Sequence, residues 1–99
     1  MKIAEVGSLV SFICHTENKP MVGRIIKATE IKYSGNYAAR IEQIVADGKS
    51  EPFVRIACWV KSPKTNNDYE WTVGKGYWMF DEKFANELFH EARTLGILV

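Results

Sequence analysis

Apolar and polar side chains alternate with a period of two over roughly the first four-fifths of the chain, after which the spacing lengthens to that of a helix. Residues 8–15, SLVSFICH, are rich in β-formers and set Val10, Phe12 and Cys14 on one face. Residues 17–20, ENKP, carry turn chemistry. Residues 21–33 are long for one strand, and their apolar face switches near Ile25 and Ile26. A regular strand keeps one face, so the switch predicts a bulge or a strong bend. Gly23 suits a close approach or bend in such a strand. Residues 34–36, SGN, read as a turn. Residues 37–46 alternate again, with Tyr37, Ala39, Ile41 and Val45 together, and Asp47-Gly48 is a hairpin signal. Residues 52–61 place Val54, Ile56, Cys58 and Val60 on an expected inner face. Phe53, Arg55, Ala57, Trp59 and Lys61 fall on the other.

The last segment predicts a helix over 81–95. Asp81 is a good N-cap. At 100° per residue, Phe84, Ala85, Leu88, Phe89, Ala92 and Leu95 share about 140° of arc. Gly96 supplies the C′ stop, with Ile97 placed for the apolar contact beyond it. Before the helix, residues 69–81, YEWTVGKGYWMFD, read as an aromatic hairpin. A three-residue loop at 74–76 sets Trp71 opposite Met79; a two-residue loop at 74–75 sets it opposite Trp78. One residue of slip exchanges the faces. Either register leaves the second strand apolar on both sides, which calls for two covers. The helix is the expected second cover, and an aromatic pair it failed to reach would be left at the surface.

Composition narrows the class. Ninety-nine residues make one domain, and a 46% hydrophobic content is enough for a core without metal or disulfide staples. The net charge of +1 gives no field drawing the whole molecule to nucleic acid or a membrane. Residues 19–64 carry nine Lys or Arg against four Asp or Glu, and residues 65–99 carry three against six. Such unevenness is ordinary on a small domain; its sharper reading is a basic sheet beside an acidic tail. Cys14 and Cys58 are too few for a disulfide scaffold and lie in apolar runs, so a reducing, cytoplasmic setting is expected. No apolar run reaches a membrane span, and no signal-peptide cleavage site follows the start.

Chemical motifs are sparse. His15-Thr16-Glu17 matches the H-x-E half of a zinc deaminase, but the required P-C-x-x-C is missing. Cys14, His15, Cys58 and His90 do not suit one tetrahedral site, because adjacent strand residues point to opposite faces. Nothing marks either cysteine as an activated nucleophile. Gly74-Lys75-Gly76 is too short for a phosphate loop.

The stretch VGSLVSF (6–12), followed by VGRII (22–26), resembles the first two strands of Tudor- and KOW-type SH3-like barrels. The similarity covers roughly the first 60 residues. Ser8 stands where those barrels often have Asp, and the C-terminal helix is an addition. The resemblance implies a bent five-stranded barrel that binds proteins or nucleic acids. No aromatic-cage position maps onto it.

The expected fold is α+β: a strongly bent antiparallel sheet of about five to six strands, SH3-like in type, over 6–80, with one C-terminal amphipathic helix. The expected function is a small non-enzymatic binding module for a protein partner, of adaptor or inhibitor type. Its candidate surface comprises Phe53, Arg55, Trp59, Lys61, Trp71, Tyr77 and Trp78. The alternative is nucleic-acid association through Arg24, Lys27, Lys32, Arg40, Arg55 and Lys61, with Trp59 stacking on a base. A third reading is a small apolar ligand between helix and sheet, beside Trp71 and Trp78. No cofactor, metal or membrane partner is expected. A homodimer through the helix or an open sheet edge is compatible with the pattern.

Overall fold

The computed structural model describes residues 3–14, 18–62, 68–71 and 81–99. Among these residues six strands form one antiparallel sheet: β1 (Leu9–Cys14), β2 (Lys19–Ala28), β3 (Lys32–Ser34), β4 (Tyr37–Ala46), β5 (Phe53–Ser62) and β6 (Asp68–Trp71). One helix, α1 (Glu82–Thr94), follows. The sheet order is β1-β2-β4-β5-β6, and β3 also pairs with β4. The expected α+β class, antiparallel sheet and C-terminal helix are all present.

The long second strand is in fact two. β2 pairs with the C-terminal half of β4, and β3 pairs with its N-terminal half. The register slips between Ile25 and Lys27, which makes Ile26 the bulged residue at the place where the sequence changes face. The break between β2 and β3 is held by Thr29, whose N–H donates to the Ile41 carbonyl while its hydroxyl accepts from the Ile41 N–H. Gly35 (φ +58°) and Asn36 then turn the chain from β3 into β4.

Residues opposite one another in an antiparallel ladder share a face. One face carries Phe12, Met21, Ile25, Ile44, Ala46 and Phe53, continuing through Glu42, Arg55, Arg40, Ala57, Ala38 and Trp59. The rings of Phe12 and Phe53 approach to 5.8 Å although β2 and β4 lie between their strands. Three strand spacings on a flat sheet would hold them about 14 Å apart. The sheet therefore curls towards this face without closing. Ile3 and Ile31 pack against the Ala38–Ala57–Trp59 cluster at its far end.

The other face carries α1. Phe84, Leu88, Ala92 and Ile97 pack on Ala39, Ile41 and Cys58. Asp81 caps the helix by accepting the Phe84 N–H at 2.8 Å. At the other end Gly96 (φ +77°) donates to the Arg93 carbonyl and Ile97 to the Ala92 carbonyl. This 5→2 and 6→1 pair is a Schellman motif, and it turns the Ile97 side chain into the core. Five of the six residues on the predicted apolar arc are buried or half-buried. Leu95, at the C-cap, is exposed.

Candidate functional site

Face assignment on β5 is the main correction to the sequence reading. Val54 and Ile56, placed by alternation on an inner face, are 45% and 46% exposed. Ala57 and Trp59, on the supposed outer face, are buried. Both faces of this strand are used, one inside the curl and one beneath α1. The helix covers Cys58 but stops short of Val54 and Ile56, so period two alone could not rank the faces.

Trp59 is 2% exposed and packs with Ala38 and Ala57, so its ring offers no surface to a partner or a base. The Arg40 guanidinium lies over it, 5.9 Å from the ring centroid. Phe53 is half-buried against Phe12. Lys61 is exposed. Trp71 lies in β6, opposite Trp59 in the backbone ladder. Tyr77 and Trp78, with the turn and second strand of the expected hairpin, lie outside the described residues.

The six basic residues do not form one surface. Arg24, Lys27 and Lys32 fall on the helix-bearing face, whereas Arg40, Arg55 and Lys61 fall on the concave one. Arg40 is buried: it donates through Nε and Nη2 to Glu42 Oε2, at 2.7 and 2.5 Å, and through Nη2 also to the Ala4 carbonyl. Arg55 reaches Glu42 Oε1 at 2.7 Å. Arg24 donates to the Gly7 carbonyl. Lys27 donates to the Leu95 carbonyl at 3.2 Å, at the negative end of the helix, and Lys32 lies 3.5 Å from Glu91 Oε2. Arg24, Lys27, Lys32, Arg40 and Arg55 thus hold structural elements together. The buried Arg40–Glu42–Arg55 cluster went unseen because alternation in residues 37–46 points to the apolar face alone.

Among the described residues no three His, Cys, Asp or Glu side chains gather to hold a metal. Cys58 sits under the helix, and burial pushes its thiol up to about 11. That is the opposite of an activated nucleophile. His90 lies on the exposed side of α1. Between helix and sheet, Phe84, Leu88, Ala92 and Ile97 pack on Ala39, Ile41 and Cys58; the ligand space expected beside Trp71 and Trp78 falls outside the described side chains. A depression of about 280 Å³ is lined by the five consecutive residues from Lys49 to Phe53 at the start of β5, so no residue distant in sequence contributes a group to it. No helix among the described residues is long and apolar enough to cross a membrane.

What remains is the uncovered end of the helix-bearing face. Leu9 (57% exposed) lies opposite Arg24, and Arg24 lies opposite Val45; Val22 (45%) is two residues back along β2. On β5, Val54 lies opposite Gln43 and Ile56 opposite Ile41. Leu9 and Val22 on β1–β2 and Val54 and Ile56 on β5 thus share one face, with Arg24, Val45 and Gln43 between the two pairs and Lys27 beside Gln43.

Comparison with known proteins gives no family model, no curated protein and no solved structure that matches this chain.

Proposed function

We propose that the chain is a non-enzymatic binding module that docks a protein partner on the uncovered end of its helix-bearing sheet face. One observation carries the reading: Leu9, Val22, Val54 and Ile56 stay about half exposed on one face while the opposite face builds a core. Exposed apolar groups gathered on one face favour an interaction surface more than single ones dispersed over the molecule. The site therefore moves from the Trp59-centred surface of the sequence reading to a neighbouring one made by aliphatic residues.

The test is a photo-crosslinking residue placed at position 22 or 54 and irradiated in extract of the source cells. A discrete protein adduct is expected. The same probe with Leu9→Asp added should lose it, while a probe at exposed Glu87 should never give it. Equal labelling from positions 22, 54 and 87 would remove this face as the docking site.

Nucleic-acid association loses support from the dispersal of its six cations. Its remaining test is salt: phosphate contacts must weaken steeply as ionic strength rises.

A further inference from the structure

A cation lies between the two apolar pairs of the helix-bearing face. Leu9, Arg24 and Val45 stand side by side on β1, β2 and β4. Val54 of β5 follows two residues further along, opposite Gln43. On a flat sheet, three strand spacings and two residues of offset would separate Leu9 from Val54 by about 16 Å. Three turns of an α-helix rise about 16 Å.

This end of the face is basic as well as apolar. Arg24 and Lys27 are exposed. Each donates to a neutral carbonyl, of Gly7 and of Leu95, which leaves its charge uncompensated. Among the described residues no carboxylate pairs with either. The positions around them, Leu9, Val22, Gln43, Val45 and Val54, carry no acid. The same face already shows how it takes a helix, since α1 packs its apolar stripe on Ala39, Ile41 and Cys58. A partner strand would need a sheet edge rather than a face. A nucleic acid would satisfy the two cations but leave the four aliphatic side chains without an apolar partner.

Resting on the docking reading above, we propose that the partner lays an acidic amphipathic helix across this diagonal. Its first apolar residue covers Leu9 and Val22, and a carboxylate about one turn on meets Arg24. Apolar residues about two and three turns on cover Val45 and then Val54 and Ile56. All four belong to one stripe of the helix. Lys27, bonded to the end of α1, gives the flank beside α1 a second positive charge.

The test is to sequence, by mass spectrometry, the partner segment joined to the photo-crosslinker at position 22 or 54. It is expected to carry apolar residues at this spacing with Asp or Glu between them. Synthesised as a peptide, it should gain helical circular dichroism on binding the intact chain. Replacing its central acid by Lys, or making Arg24→Glu, should each weaken binding by about tenfold or more, because like charges then meet. The two changes together should restore it. The peptide change is read on the wild-type chain, so it decides even if Arg24→Glu does not fold. Arg24→Gln keeps a donor for the Gly7 carbonyl without the charge, so it should stay folded and lose most of the salt dependence of binding. A segment without acids, one that binds without becoming helical, or one indifferent to the charge at position 24 overturns the acidic helix and leaves the docking face standing. No adduct from either position removes both.

Discussion

Glu42 stands directly opposite Arg55 across β4 and β5, its Oε1 2.7 Å from the Arg55 Nε, and is 1% exposed. Arg40, two residues before it on the same face, takes the other carboxylate oxygen. One buried carboxylate thus holds two guanidinium groups. Removing a single partner from such a cluster leaves buried charge without compensation. Glu42→Ala is expected to cost about 3–5 kcal/mol in urea unfolding. Arg55→Ala should cost less, since its side chain is partly exposed and water can reach what it leaves behind. A Glu42→Ala loss below about 1 kcal/mol would show that the carboxylate does not anchor the sheet.

The two faces of β5 make a second prediction. Trp59 fills the space between Ala38 and Ala57, and truncating a buried aromatic leaves a cavity. Trp59→Ala should lose about 3–5 kcal/mol. Val54→Thr keeps the β-branch on an exposed position and should change stability by less than about 1 kcal/mol. Thermal melts of both variants beside the parent decide the matter. Equal losses would mean that Val54 is buried after all.

Gly23 of β2 stands opposite Ala46 of β4. A Cβ there would lie 2.6 Å from the Ile44 Cγ2 and 2.8 Å from the Val45 carbonyl oxygen. A side-chain methyl can shift, but a carbonyl fixed in a ladder cannot. Gly23→Ala is expected to destabilise by about 1–3 kcal/mol, the usual penalty for forcing extra volume into a packed site. A neutral result in denaturant titration would show that the two strands can part at this point.

Local signals carried furthest in the sequence. The helix was legible because its N-cap Asp81, its apolar arc and its Gly96 stop all act within a few residues of one another. The Ile26 bulge was legible because a change of face within one strand has few physical causes. The faces of β5 were not, since which side is buried depends on how far the sheet curls and where the helix comes to rest. Both are set by contacts distant in sequence, such as Phe12 on Phe53. The basic surface failed for the same reason. Arg40 and Arg55 look like free cations in one dimension, and only the β4–β5 register reveals Glu42 between them. The docking patch was hidden in the same way, because Leu9, Val22, Val54 and Ile56 read as ordinary strand residues until α1 is seen to stop short of them.

Cys58 gives the last prediction, one that separates burial from reactivity. Desolvation beneath α1 raises its thiol from 9.0 to about 11, because the thiolate would be stranded among Ala39, Phe84 and Leu88. In the unfolded chain the thiol ionises near its ordinary value. A folded pKa above the unfolded one means that this group's contribution is whole below pH 9 and is lost as pH rises towards 11. Other groups titrate in the same range, so the informative quantity is a difference. On a Cys14→Ser background, the stability gap between Cys58 and Cys58→Ala should be constant up to about pH 9 and narrow above it. Iodoacetamide gives an independent check, since the thiolate is the nucleophile. At pH 8 the folded chain should label far more slowly than the same chain in denaturant. Equal rates would place Cys58 in water and with it undo the packing of α1 on β4 and β5.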